Sequence, residues 1–270
     1  MGIATNAMSR PRTESSPHSA QTPPRAHVGC SGWAYDDWRG IIYPEQLPKR
    51  AWFDHYSTLF DTVELNTTFY RMPTIAVVDR WAHQAPAGFV YSLKLGMFGS
   101  HRMKLRDAAS WLPNHVDRAN RLGSALGPTV VQLPPRWKCN VERLDEFLTV
   151  APRELRWAIE LRDSSWLNDD VFALLERHGA ALCLHDLLEN HPWVRTTDWV
   201  YARFHGPSAL QEKYRGRYGP RRLSNAAESF NRWLADGCDV YAYFNNDYDG
   251  HAVADALWLA KSLSAPPTDA

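Results

Sequence analysis

The sequence lacks the features that would place it on a nucleic-acid backbone or in a membrane. Its 30 Lys and Arg residues equal its 30 Asp and Glu residues, whereas proteins that bind phosphate backbones usually carry a basic excess. No run approaches the roughly 18 apolar residues that a membrane-spanning helix needs. Residues 1–25 also lack the apolar segment of a secretory signal. We therefore expect a cytoplasmic protein without a membrane partner, and a local basic patch would be needed to bind nucleic acid.

Cysteine is scarce, and its spacing matches no metal or redox motif. The four cysteines are Cys30, Cys139, Cys183 and Cys238. None belongs to a C-x-x-C pair, and the spacings fit no zinc site. Cys183 lies in an apolar run, where cysteine usually packs as a small hydrophobic residue. We predict reduced thiols throughout.

Eight short apolar runs alternate with helical patterns from residue 26 onward, a pattern typical of buried parallel strands. The predicted strands are His27–Cys30, Thr62–Leu65, Val90–Lys94, Thr129–Leu133, Trp157–Leu161, Ala181–His185, Val200–Phe204 and Val240–Phe244. This alternation fits a closed (β/α)₈ barrel or an open doubly wound sheet. Residues 29–33 (GCSGW) place a bulky Trp where a dinucleotide-binding turn needs a small residue.

The count of eight strands favours closure, and the length of 270 residues suits one barrel, which commonly occupies about 250 residues. We predict a single α/β domain, a TIM-type barrel over residues 26–265. Residues 1–25 are predicted to be a disordered tail, because they offer little apolar surface to bury.

Helix boundaries are clearest in the second half of the chain. Asn140 and Asn168 precede amphipathic segments and are predicted N-caps. Gly179 stands where the helix after Asn168 should end. A further helix is predicted to open at Ser224 and to close near Gly237.

Polar side chains follow seven of the eight predicted strands, at the end where a barrel of this type forms its site. They are Glu64 and Asn66, Lys94, Gln132, Glu160 and Arg162, His185 and Asp186, Arg203 and His205, and Asn245 and Asp247. Successive strand side chains point to opposite sides, so residues two apart share a side. We therefore expect three pairs to converge on the barrel axis: Glu64 with Asn66, Glu160 with Arg162, and Arg203 with His205. Buried charges must be paired, and we expect Glu64 and Glu160 to pair with Lys94, Arg162 and Arg203.

The same segments resemble a known family. They read GCSGWAY at 29–35, VELNTTFY at 63–70, QLPP at 132–135, ELRD at 160–163, RFHG at 203–206 and YFNND at 243–247. In this order they resemble the YecE-like family, a TIM-barrel family of unknown function, over residues 27–263. The resemblance implies the barrel fold but no reaction, substrate or cofactor. It marks these positions of interest: Glu64, Asn66, Tyr70, Gln132, Glu160, Arg162, Arg203, His205, Asn245 and Asp247.

The leading hypothesis is an enzyme that performs acid–base chemistry on a small polar or anionic, sugar- or phosphate-like substrate. The candidate catalytic residues are Glu160, His205, Glu64 and Lys94. Either glutamate would be the base or a stabiliser of positive charge, and His205 would move the proton, because imidazole titrates near neutral pH. A Schiff base at Lys94 is the weaker interpretation, since a single strand-end lysine is more often paired or bound to phosphate.

The candidate substrate-binding residues divide by chemistry. Arg162 and Arg203, together with Lys94, would bind an anionic group. The others are Asn66, Gln132, Asn245 and Asp247, with Trp33 and Tyr70 as aromatic surfaces. Trp166 is a further aromatic candidate; each aromatic residue could stack on a ligand or only cap the barrel.

Two alternatives stay open. One alternative is a divalent-metal-dependent hydrolase or isomerase, whose oxygen and nitrogen ligands would come from Glu64, Glu160, His185, Asp186, His205 and Asp247. No local spacing supports a metal site, and no cofactor is evident. The segment 245–250 imitates the start of a calcium loop, but its twelfth position is Ala256, so we reject calcium there. A non-enzymatic barrel that binds a ligand or nucleic acid is the other alternative. Two carboxylates also suit a glycosidase, whose test is their separation.

Overall fold

The computed structural model describes residues 23–264, and within them eight parallel strands alternate with helices, except that no helix lies between the sixth and seventh strands. The strands are β1 Ala26–Cys30, β2 Thr62–Leu65, β3 Val90–Lys94, β4 Leu126–Gln132, β5 Trp157–Glu160, β6 Ala181–His185, β7 Trp199–Phe204 and β8 Asp239–Phe244. Their hydrogen-bonded order is β1-β8-β7-β6-β5-β4-β3-β2. Because β1 also contacts β2, the sheet closes into the predicted TIM-type barrel.

Helices connect the strands on the outside of the barrel. The described α-helices are α1 Trp52–Tyr56, α2 Thr67–Tyr70, α3 Ile75–Gln84, α4 Ala108–Asn120, α5 Val141–Val150, α6 Asp169–His178, α7 Gly219–Ala235 and α8 His251–Ser264. A short π-helical segment, Phe98–Arg102, follows β3. The path from residue 98 to α4 carries several backbone residues with positive φ, among them Lys104 and Asp107.

The predicted caps of α5 and α6 are confirmed. The side chain of Asn140 accepts the backbone N–H of Arg143, and that of Asn168 accepts the N–H of Val171. Gly179 ends α6 with a φ of 67°, a left-handed conformation that glycine adopts without steric cost.

The predicted start of α7 at Ser224 is wrong, because the helix begins five residues earlier, at Gly219. Pro220 supplies a helical φ in the first turn, where its missing N–H costs nothing. The carboxylate of Asp255 on α8 accepts the backbone N–H groups of Tyr218 and Gly219. The N-terminal acceptor thus comes from another helix, which local sequence does not reveal.

The core has two layers, as the strand alternation requires. Leu65, Leu161 and Phe204 belong to the large cluster between the strands and the helices. A second cluster, which includes Val130, Cys183, Tyr201 and Tyr243, fills the barrel. The hydroxyl of Tyr243 makes hydrogen bonds to Thr62 and Ser92, so its polar end is satisfied inside the barrel. By the same alternation, the side chains of Glu64, Glu160 and Arg203 point into the barrel.

Three further expectations concern the cysteines, membrane-spanning helices and the N-terminal tail. The four cysteines are free thiols. Within residues 23–264, no helix has the length and apolar character to cross a membrane. Most of the predicted tail, residues 1–22, lies outside the described residues. The described backbone N–H of Arg25, at the predicted tail's last position, donates to Asp239 at 3.0 Å.

Candidate functional site

Arg203, at the end of β7, is the centre of a buried ion-pair network at the barrel mouth. Its Nε and Nη2 donate to the carboxylate of Glu64 at 2.8–3.2 Å, and its Nη1 donates to Glu160. Nη2 also reaches Asn245 at 3.1 Å and Asn66 at 3.4 Å. Arg203 is 2% exposed and both glutamates are 0% exposed. Every charge here therefore depends on its partners, since an unpaired buried charge is costly.

Glu64 and Glu160 are held as carboxylates. Burial, the largest single influence, would raise their pKa values, but Arg203 and the other cations and donors together outweigh it. The pKa of Glu64 is therefore lowered, and that of Glu160 lies well below its usual range. Glu64 also accepts the hydroxyls of Ser31 and Tyr201, each at 2.7 Å. Carboxylates with lowered pKa values and occupied lone pairs are weak bases. Their arrangement suits fixing cations and stabilising positive charge.

Arg162 extends the network towards solvent. Its Nη1 donates to Glu160 at 2.8 Å, with 8% of its side chain exposed. Lys94 lies within electrostatic reach of both glutamates, Arg162 and Arg203. The cluster thus combines three cationic side chains with two carboxylates, a balance that favours an anionic ligand.

His205 belongs to a second, carboxylate-oriented arrangement beside the network. Its Nδ1 lies 2.9 Å from Oδ1 of Asp186, and its backbone N–H contacts both carboxylate oxygens at 3.1 Å. The hydroxyl of Tyr218 donates to the same carboxylate. An ionised Asp186 can only accept, so Nδ1 carries the proton and Nε2 presents a lone pair. Nε2 makes no hydrogen bond to any described residue.

The environment of His205 keeps its imidazole neutral at pH 7. Burial lowers its pKa, although the hydrogen bond with Asp186 acts in the opposite direction. The charges of Arg203 and Glu160 also act on it, which places its ring beside the network. A neutral imidazole oriented by a neighbouring carboxylate, here the half-buried Asp186, is the arrangement of a general base.

Lys94, at the end of β3, departs from the expected pairing. No carboxylate among residues 23–264 forms an ion pair with its Nζ, which instead lies 4.5 Å from the ring centroid of Phe69. Thr68 fixes the lysine backbone through hydrogen bonds of 3.2 Å and 2.7 Å. Burial, followed by the charge of Arg203, lowers the pKa of Lys94 to about 8.

The three aromatic candidates differ in how far their side chains are exposed to solvent. Trp166 is 0% exposed and donates its Nε1 to the carbonyl of Trp137, so of its two possible roles the structure favours packing in the core over stacking on a ligand. Trp33 is half-buried and contacts the ring of Phe53. Tyr70 is 77% exposed.

The remaining polar candidates differ in how freely they could bind a ligand. Asn245 is buried, and its Nδ2 has no hydrogen-bond partner within residues 23–264. Gln132 is half-buried and lies in register with Glu160 on the adjacent strand. Asp247 has one buried carboxylate oxygen without a partner among the described residues, and burial raises its pKa well above the usual range.

The geometry gives the metal alternative no support. Within residues 23–264, no group of three or more His, Cys, Asp or Glu side chains is placed to hold a metal. Both ring nitrogens of His185 are occupied, one by the carbonyl of Leu161 and the other by the N–H of Leu187. The oxygens of Glu64 and Glu160 face arginine.

Several participants were not predicted in their present roles. From the sequence, Asp186 is a candidate only as a metal ligand, and Tyr218 is not a candidate for any role. Tyr201 lies two residues before Arg203 on β7, so strand alternation could have placed it on the same side. A cavity of about 320 Å³ adjoins the site, and its lining includes His185, Asp186 and Arg203.

Fold and site together define an α/β-barrel protein with a buried charged network and an oriented histidine at its mouth. Comparison with family models then makes the assignment: the chain belongs to the family described as "protein of unknown function DUF72", whose model matches residues 27–270. The resemblance inferred from the motifs is therefore confirmed.

Relatives agree with this assignment. The UPF0759 protein YunF of Bacillus subtilis is 24% identical, over 88% of this chain and 94% of that protein. The UPF0759 protein YecE of Escherichia coli K12 is 29% identical over 50% of this chain and 48% of that protein.

Solved structures give the same fold. A DUF72 family protein of Thermotoga maritima is 26% identical, with a TM-score of 0.81 over 89% of this chain and 100% of that one. A DUF72 family protein of Enterococcus faecalis, 19% identical, has a TM-score of 0.75 over 89% of this chain and 96% of that one.

Proposed function

We propose that the protein is an enzyme that performs acid–base chemistry on a small, anionic, sugar- or phosphate-like substrate at the carboxyl-terminal mouth of the barrel. The observation that carries the proposal is the pair of Asp186 and His205, with Nε2 of the imidazole unbonded among the described residues. This pair adjoins a network of two arginines and two glutamates, and Lys94 lies within electrostatic reach as a third cation. A proton acceptor and an anion-binding group thus share one mouth.

The roles follow from the contacts. His205 accepts and returns the substrate proton, and Asp186 keeps its tautomer and orientation. Arg162 binds the anionic group bidentately. Glu64 and Glu160 hold Arg203 in place and stabilise positive charge, which fits their lowered pKa values better than the role of base.

The other candidates complete the proposal. Asn245, with its unpartnered Nδ2, donates to a substrate hydroxyl, and Asn66 and Gln132 contribute further polar contacts. Asp247, Trp33 and Tyr70 remain proposed contacts at the rim. The single domain over residues 26–265 and the cytoplasmic location also stay predictions, as does a small molecule rather than nucleic acid as the partner.

A thermal-shift comparison of sugar phosphates with the corresponding sugars tests the anion-binding mouth. A ligand at a hundred times its dissociation constant stabilises a fold by about 2.7 kcal/mol, which raises the melting temperature by about 5–10 °C for a domain of this size. We expect Arg162→Met to lose this shift, whereas His205→Gln retains it, because binding precedes proton transfer.

Arg136→Ala is the matched control, since Arg136 is an exposed arginine in the loop after β4. The proposal is wrong if no phosphorylated compound stabilises the protein, or if the stabilisation persists undiminished in Arg162→Met. Each shift is measured against the variant's own melting temperature, which separates lost binding from lost stability.

A further inference from the structure

Lys94 is unlike the other lysines of the chain. All six lysines lie within the described residues; five are exposed, and Lys94 is 9% exposed. It stands at the carboxyl end of β3, inside the mouth that holds Arg162 and Arg203. An ammonium group in this position loses hydration and gains no carboxylate ion pair among the described residues. Burial and the charge of Arg203 therefore outweigh the charges of Glu160 and Glu64, which favour the ammonium form.

The surroundings of Nζ are those of an amine nucleophile. The ring of Phe69 lies against it at 4.5 Å, and two arginines act on it electrostatically. Lysines become nucleophilic when an apolar neighbour desolvates them or another cation lies close. With a pKa of about 8, Lys94 holds on the order of a hundredfold more neutral amine at neutral pH than an ordinary lysine.

We propose that Nζ of Lys94 forms a Schiff base with the carbonyl carbon of an aldehyde or ketone that also carries a phosphate or carboxylate group. The inference rests on the proposed function, because it names the substrate class of the same mouth. From the sequence alone, a Schiff base is the weaker interpretation of Lys94, whereas the surroundings of Nζ favour it.

The step uses groups at the site and one proton from solvent. The amine lone pair forms the C–N bond to the carbonyl carbon, and the carbonyl oxygen leaves as water. His101 carries one proton from Nζ to that oxygen, and solvent supplies the second. The resulting protonated imine carries positive charge within electrostatic reach of Glu64 and Glu160. Hydrolysis by water returns the free lysine.

His101 is placed for the proton transfer. Its ring contacts the same Phe69 ring that lies against Lys94, with centroids 5.0 Å apart. Its Nδ1 is hydrogen-bonded to Ser100 at 3.0 Å, which leaves Nε2 to take the proton from Nζ and pass it to the carbonyl oxygen. Burial, followed by the charge of Lys94, lowers the pKa of His101, so the imidazole is neutral and can accept this proton.

Reductive trapping tests the proposal on the intact protein. The protein is incubated with glycolaldehyde phosphate or with uncharged glycolaldehyde in the presence of sodium cyanoborohydride, which converts an imine to a stable secondary amine. Intact mass and peptide mapping then identify the labelled lysine. We expect the adduct at Lys94 to form on the order of tenfold faster than adducts at lysines of ordinary pKa, because the lower basicity of its amine offsets part of its larger neutral fraction. The adduct should form faster with the phosphorylated aldehyde and accelerate as the pH rises through about 8.

Two conservative variants control the result. Lys94→Arg keeps the charge and should lose the adduct. Lys138→Arg removes an exposed lysine that pairs with Asp163 near the mouth and should keep it. Peptide mapping of the wild-type protein places the adduct even if Lys94→Arg fails to fold. Equal labelling of the exposed lysines, or undiminished labelling of folded Lys94→Arg, would overturn the Schiff base.

Failure of this inference is distinguishable from failure of the proposed function. A protein that glycolaldehyde phosphate stabilises in the thermal-shift assay, but that is not labelled at Lys94, excludes the Schiff base and retains the anion-binding mouth. A protein that is neither stabilised nor labelled contradicts both.

Discussion

Replacing Arg203 with methionine should destabilise the fold strongly, because the substitution removes the central cation of the network. Arg203 donates to both buried glutamates. Glu160 would keep Arg162, and Glu64 would keep only its two hydroxyl donors. Removing one partner of a buried ion pair costs about 3–5 kcal/mol. For a domain of this size, that lowers the melting temperature by about 6–20 °C.

The stability of Arg203→Met should change with pH in the direction opposite to that of the wild type. In the wild-type protein, the lowered pKa values of Glu64 and Glu160 contribute stability above about pH 4, which is lost as the pH falls through the folded-state values. Without Arg203, burial raises the pKa of Glu64, so the carboxylate destabilises the fold at neutral pH. Protonation then relieves this cost as the pH falls towards 5.

Urea unfolding of both proteins at pH 7 and pH 5 measures this effect. The control is Arg177→Met, because the Arg177 side chain is 61% exposed and pairs with Asp145 on the outer helices. Exposed ion pairs contribute at most about 1 kcal/mol. The reasoning is refuted if Arg203→Met is no less stable than Arg177→Met, or if its deficit is the same at both pH values.

Three further predictions concern single contacts. Asp186→Asn should lower the pKa of His205 further, because the carboxylate that favours imidazolium is removed; an unchanged NMR titration would contradict the assignment of the pair. Trp166→Ala should cost about 3–5 kcal/mol of unfolding free energy, whereas Tyr70→Ala should cost less than about 0.5 kcal/mol; equal losses in urea would mean that the burial of the two side chains is misassigned. Asn168→Ala should cost about 1 kcal/mol through loss of its cap, and no measurable change in thermal unfolding would exclude the capping bond.

The barrel could be predicted because burial on both faces makes its strands continuously apolar. Three strands, including Thr62–Leu65 and Ala181–His185, have the predicted bounds. Strand alternation also brought Glu64, Glu160 and Arg203 to one side, since that relation depends only on backbone period.

What could not be predicted depends on partners distant in sequence. The pairing of His205 with Asp186 requires β6 and β7 to lie side by side in a particular register. The start of α7 depends on a carboxylate from α8. Lys94 was expected to pair with a glutamate, but Arg203 and Arg162 occupy those carboxylates, and sequence alone does not rank competing cations.

The most direct test of the central claim is solvent proton exchange by the wild-type protein. Each phosphorylated aldose or ketose that stabilises the protein is incubated with it in D₂O, and ¹H NMR follows the C–H next to the carbonyl. The account predicts that the wild type incorporates deuterium and that His205→Gln does not. His178→Gln, which alters a histidine paired with Asp145 at 2.6 Å on the outer helices, should exchange like the wild type. A ligand that binds but exchanges no faster than in buffer alone would contradict the account and indicate a binding protein instead.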